Sequence, residues 1–218
     1  EAIRVSPRFA TAYANRAALR LKNGDQAAAL ADFEAALTID PRHAPALVGR
    51  AQVRGSRRDH GGALADFDSA IEANASYAPA YASRAELWLQ TGDLRKALAD
   101  GDTALALDPR SLAAFINRGS AKLELKDIEG ALADFQAAVR IAPRSPVALC
   151  GRARCQSTRG DDEAALADLN RAIECDPSHA VSYVNRGLVR ARLGDLAGAR
   201  ADFEAAIETA LVQGIPPS

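Results

Sequence analysis

Three side-chain types in this 218-residue chain could do chemistry by themselves: three histidines (His43, His60, His179), three cysteines (Cys150, Cys155, Cys175), and paired arginines and aspartates. An enzyme needs a nucleophile with an acid–base partner, or a metal site. The histidines lie near turns and far apart in sequence, so they suggest no shared centre. Cys150 and Cys155 sit five apart on one helical stretch, which is not a zinc spacing. Cys155 and Cys175 read as small core residues and Cys150 as the one facing a surface. An odd, irregular cysteine count is not a disulfide framework and points to free thiols in a reducing, cytoplasmic setting. No phosphate loop, dinucleotide glycine pattern or nucleophile elbow occurs. ALADG at 97–101 is a repeated motif with its phenylalanine replaced. The expectation is a non-enzyme without cofactor or metal.

The arginines and aspartates recur instead of clustering. Arg16, Arg50, Arg84, Arg118, Arg152 and Arg186 are each followed, sixteen residues on, by Asp32, Asp66, Asp100, Asp134, Asp168 and Asp202. Such a ladder could grip an acidic partner, or it could tie one element to the next. Function at a binding face varies from copy to copy whereas packing repeats, so a structural pair is expected. A planar guanidinium fork suits a carboxylate.

The elements that must hold this ladder follow from its period. Steps of 34 residues from Ala10 give six repeats, 10–43, 44–77, 78–111, 112–145, 146–179 and 180–213, with a tail at 214–218. Besides the arginine at position seven and the aspartate at position twenty-three, three more positions never vary. Position sixteen is aspartate (Asp25, Asp59, Asp93, Asp127, Asp161, Asp195), and positions twenty and twenty-seven are alanine. Residues 1–9 continue the register backwards and read as the end of a preceding repeat's second helix. With no methionine and a start at Glu1, the sequence reads as a piece of a longer chain.

Each repeat reads as two helices. The first runs from about position two to fourteen, as Thr11 to Asn23. Gly-Asp then makes the turn at 24–25, 92–93, 160–161 and 194–195. Glycine takes the left-handed conformation that ends a helix, and aspartate caps the next one. The second helix stops at Asp-Pro (40–41, 108–109, 176–177), because proline disfavours helix in the residue before it. Small residues at positions eight, twenty and twenty-seven face large ones at four and twenty-four, the alternation by which helix layers interdigitate.

A 34-residue helix–turn–helix unit with these columns resembles the tetratricopeptide repeat. YANRAALRLKNGDQAAALADFEAALTIDP and YVNRGLVRARLGDLAGARADFEAAI are similar to the NRG-type units of bacterial members. The resemblance covers about residues 1–213. It implies an all-α solenoid, a right-handed superhelix whose concave groove is lined by the first helices. In that family positions two, five, six, nine, twelve and thirteen tend to face the groove. They include Asn15, Lys22, Val48, Gln52, Ser83 and Glu86 in the first three repeats. In the last three they include Ile116, Asn117, Ser120, Cys150, Arg154, Val181, Val184, Asn185 and Leu188. The later set is more apolar, which suits a peptide or helix with apolar anchors. The chain departs from the family at position eleven, where the aromatic survives only as Trp88, and Arg20, Arg54, Lys122, Gln156 and Arg190 stand elsewhere. Arg58 and Lys126 replace turn glycines, and Ala75 replaces a proline.

The function implied is a protein–protein scaffold or adaptor, or the recruiting arm of an enzyme whose catalytic domain lies elsewhere. The lysine–asparagine clamp that some members use on chaperone tails is missing: around Asn117 stand Ala82, Glu86, Val147 and Gly151, and before Asn185 stand Cys150 and Arg154. A net charge of −1 with interspersed signs does not favour nucleic acid. No apolar run reaches a membrane span, and no leader is visible. Phe203, Ile207 and Leu211 on the last helix could pair end to end with another copy.

Overall fold

The computed structural model describes residues 7–212, and among these there are twelve helices and no strand. They pair as six helical hairpins: α1 (Pro7–Lys22) with α2 (Gln26–Ile39), α3 (Ala44–Ser56) with α4 (His60–Ala73), α5 (Ala78–Thr91) with α6 (Leu94–Leu107), α7 (Leu112–Glu124) with α8 (Ile128–Ile141), α9 (Pro146–Thr158) with α10 (Asp162–Cys175), and α11 (Ala180–Arg192) with α12 (Leu196–Val212). The chain forms two compact halves, one reaching Ala114 and the other beginning at Phe115.

Local chemistry sets these boundaries. All six aspartates at position sixteen cap their second helices, each carboxylate accepting the amide three residues on, at 2.9–3.3 Å. In each turn that aspartate's own N–H donates back to the carbonyl at position eleven, for instance Asp127 to Lys122 at 2.9 Å, which closes a Schellman turn. The residue between must take positive φ. Gly24, Gly92, Gly160 and Gly194 do so at 80–86°, and Arg58 (64°) and Lys126 (68°) are held there without being glycine. The missing proline at Ala75 does not lengthen α4. Asn74 Oδ1 accepts the Ser76 amide at 3.0 Å, the same turn that Asp40, Asp108 and Asp176 make.

Two boundaries differ from expectation. α1 starts at Pro7, because proline is tolerated in a helix's first turn. Residues 7–9 therefore belong to the first hairpin, while residues 1–6 of the expected preceding repeat, Gln213 and the tail at 214–218 lie outside the described residues. The other first helices start at position one, not two.

The small columns make the core. Ala29, Ala63, Ala97, Ala131 and Ala165 at position twenty are fully buried, as are Ala36, Ala70, Ala104, Ala138 and Ala172 at twenty-seven. Phe33, Phe67, Phe135 and Leu169 fill the space at position twenty-four. Neighbouring hairpins lock by a second contact. The Phe33 ring abuts Gly49 of the following hairpin, and Phe135 abuts Gly151, where a Cβ would come within 2.1 Å of a ring carbon.

Candidate functional site

The arginine–aspartate ladder is internal. All six aspartates at position twenty-three are buried, 2–6 % exposed, although they carry charge. Each accepts a two-pronged bond from the arginine of its own hairpin, as Arg16 Nε and Nη2 onto Asp32 at 2.7 Å, and Arg152 onto Asp168 at 2.5–2.6 Å. The same pairing joins Arg50–Asp66, Arg84–Asp100, Arg118–Asp134 and Arg186–Asp202. Burial of a carboxylate is tolerable only with such partners. The Arg16 fork holds the Asp32 carboxyl below the usual carboxylate range.

Position eleven supplies a further donor that sequence reading treated only as a departure from family pattern. Arg20, Arg54, Lys122 and Arg190 each reach the same aspartate at 2.7–2.9 Å, and Trp88 Nε1 reaches Asp100 at 3.1 Å. Gln156 breaks the series: among the described residues Asp168 keeps Arg152 as its one cation, and the buried Gln156 Oε1 has no partner. The common spacing of twelve residues to the aspartate was the available signal. Ladder arginines also reach back one hairpin, as Arg84 to Asp68 at 2.5 Å and Arg186 to Asn170 at 2.8 Å. The ladder thus fixes both hairpin closure and stacking register.

The surface-facing candidates separate by column. Position five is not a surface column. Ala14, Val48 and Cys150 are 4–5 % exposed. Val48 lies in the core with Ala80 of the next hairpin, and Cys150 Sγ sits 3.2 Å from Ser182 Oγ of α11. Cys150 and Val48 are therefore withdrawn as groove contacts: the neighbouring hairpin covers them. Burial also pushes the Cys150 thiol up in pKa, and that of Cys155 to about 11. Ile116 is half-buried against Leu123, Leu132 and Phe135. Asn117 is only 8 % exposed, so it offers little surface.

Positions two, nine and thirteen carry the exposed face, joined at position five by Val184, which alone in its column stays exposed among the described residues. In the first half Asn15, Lys22, Gln52 and Glu86 are exposed, and Ser83, half-buried, accepts a 3.0 Å bond from Gln52 Nε2. In the second half Val181 (53 %), Leu188 (57 %) and Val184 (38 %) line α11, and Val147 (47 %) stands on α9. Val147 was missed, although it shares position two with Val181. Arg154 is exposed and pairs with Glu124 at 2.9 Å, and Ser120 is half-buried. Asn185 is half-buried, its Nδ2 enclosed beside the Cys150 thiol.

Two of the histidines hold local structure, while His60 Nδ1 is buried without a hydrogen-bond partner among the described residues. His43 Nδ1 accepts the Ala46 amide at the start of α3, and His179 Nδ1 lies 2.7 Å from Ser182 Oγ. Among the described residues no three His, Cys, Asp or Glu side chains gather as a metal site, and no helix is long and apolar enough to cross a membrane.

Stacked hairpins with an internal charge ladder and an exposed first-helix face define an all-α helical-repeat protein. The tetratricopeptide repeat profiles match residues 10–43, 48–111, 89–146, 116–180 and 150–211. The chain belongs to the tetratricopeptide repeat family. Its fold is similar to the Cut9–Hcn1 hetero-tetramer of the APC/C (TM-score 0.85, 16 % identity, 94 % of this chain and 41 % of that one). It is also similar to PilF of Pseudomonas aeruginosa (0.75, 18 %, 89 % of each) and to YrrB, described as a TPR protein with an unusual peptide-binding site (0.59, 24 %, 81 % and 91 %). The chain thus spans less than half of the first of these. No curated protein sequence matches it significantly. The tetratricopeptide fold serves protein–protein interaction in general and is typically non-catalytic.

Proposed function

We propose that this chain is a non-catalytic scaffold or adaptor that holds a peptide or helix of a partner protein against its first-helix face. The observation that carries the reading is the apolar surface of α9 and α11. At position two Thr11, Pro45, Pro79 and Ala113 give way to Val147 and Val181, and at position nine Ala18, Gln52, Glu86, Ser120 and Arg154 give way to Leu188. Aliphatic side chains about half exposed on adjacent helices gain by covering. Arg154 and Asn185 beside them supply orientation. The ladder arginines are neutralised by aspartate and leave no basic stripe, so a protein is favoured over nucleic acid. Selection from a phage-displayed random peptide library tests this. Enriched peptides should carry aliphatic or aromatic anchors and lose at least tenfold in affinity against Leu188→Glu. Equal binding to that variant rejects the proposed face.

A second surface favours self-association. Leu196, Ile207, Leu211 and Val212 on α12 are 55–89 % exposed, although Phe203 is half-buried. Sedimentation over a wide concentration range should show a growing larger species, and a constant monomer mass rejects it.

A further inference from the structure

Two clefts open between adjacent first helices at the same register, three repeats apart. One lies between α3 and α5 and is floored by Phe67, Ala51 and Leu87. The other lies between α9 and α11 above Leu169. Each opens where position twelve is small, at Gly55 and Ser157; Leu21, Leu89 and Leu123 stand there in three other repeats and Ala191 in the last. Each is also a junction where position six carries a side chain, Ser83 or Asn185, in place of Gly49 or Gly151.

Gly55 is the informative residue. It lies in the last turn of α3, where glycine costs up to about 1 kcal/mol relative to alanine. Nothing demands it: a Cβ there would meet Leu87 Cδ1 at 3.7 Å and Ala63 Cβ at 4.0 Å, ordinary contacts. The missing side chain leaves a cleft of about 140 Å³, roughly the space of four or five waters. Its rim is polar and mostly self-satisfied. Gln52 donates to Ser83, and Ser56 Oγ donates to Val53 O. Glu86 is the one charged lining residue, and among the described residues no ion pair reaches it. Desolvation in the cleft pushes its carboxyl pKa up.

We infer that the Gly55 cleft is a specificity pocket for a cationic side chain with an aliphatic stem, a lysine above all, of a protein segment laid on α3 and α5. The inference rests on the protein-binding reading in that the ligand is a protein segment, and the pocket lies wholly within the first half. Four methylenes lie along Phe67 and Leu87 while the ammonium meets Glu86, the split environment such side chains favour. Glu86 stands exposed at the mouth of a cleft floored by apolar side chains, where an incoming cation meets it directly.

The test uses n-butylammonium, n-butanol and butyrate as probes, titrated into the isotope-labelled chain and followed by amide NMR. Butylammonium should shift the amides of Gly55, Ser56 and Leu87 with millimolar affinity, about fivefold tighter than butanol. Butyrate should not bind. Gly55→Leu restores the residue of the sister repeats and should abolish all shifts while the circular dichroism stays helical. Should that variant not fold, Gly55→Ala should weaken binding instead. Glu86→Gln should bring butylammonium down to the level of butanol. Butyrate binding as well as butylammonium, or unchanged shifts in the filled variants, overturns the inference. Because the probes need no partner, failure here with peptide capture intact removes only the pocket, and failure of peptide capture leaves this titration readable.

Discussion

Alanine placed at two glycines should act with opposite sign, and the difference measures how tightly hairpins seat on each other. At Gly151 the new Cβ falls 2.1 Å from Phe135 Cε1 and 2.4 Å from Cδ1. Phe135 is 1 % exposed in the core, so its ring cannot swing into solvent. It must tilt or push α9 away from α8. Overpacking of this kind costs about 1–3 kcal/mol, and full expulsion of the ring costs about 3–5 kcal/mol. Better helix propensity returns about 1 kcal/mol. The net expectation for Gly151→Ala is a loss of up to about 2 kcal/mol, centred near 1 kcal/mol, or roughly 2–4 °C in melting temperature at that centre for a chain of this size. At Gly55 the same substitution meets nothing closer than 3.7 Å, so only the propensity gain remains and the melting temperature should rise by about 2–4 °C. Thermal melts followed by circular dichroism, with urea unfolding as a check, read both. A double variant, Gly151→Ala with Phe135→Leu, should recover part of the loss. If Gly151→Ala is as stable as the wild type, the ring-on-glycine seat is not what joins these hairpins.

Three other outcomes follow from the ladder, the turns and the half-buried His179 imidazole. Arg152→Leu strands Asp168 without any cation and should cost about 3–5 kcal/mol, whereas Arg50→Leu leaves Arg54 on Asp66 and should cost clearly less; urea midpoints compare them, and equal losses refute the shared role of position eleven. Lys126→Gly, and separately Arg58→Gly, relieves a left-handed backbone and should stabilise by about 0.5–1 kcal/mol each; a drop in melting temperature would show that the side chains matter more than the turn. His179 has its pKa lowered by burial, so the unfolded chain binds the proton more readily. Its contribution is full above the unfolded value of about 6.5 and is lost as pH falls through the folded one. Stability measured from pH 8 to pH 5 should decline, and His179→Gln should flatten that part of the curve.

The period, the hairpins and the caps were legible because each is a local rule repeated. Asp25 caps α2 whatever surrounds it, and five invariant columns leave one register. The structural role of the arginine–aspartate pair was legible from the same recurrence. What escaped depends on the neighbouring hairpin. Position five reads as a surface column until the next first helix covers Val48 and Cys150. The varied residues at position eleven hide one task, since arginine, lysine and tryptophan can all donate to a buried carboxylate. Gly55 carries no signal in the sequence pattern, and only the space beside Leu87 and above Phe67 gives it meaning. The tight turns at Arg58 and Lys126 survive because the surrounding hydrogen bonds fix the backbone against the residues' own preference.

The most direct measurement is methyl NMR of the chain carrying a peptide from the displayed library. The account predicts that the methyl groups of Val147, Val181 and Leu188 shift together while Leu196, Ile207 and Val212 stay in place. Shifts confined to α12, or to the second helices, would contradict it.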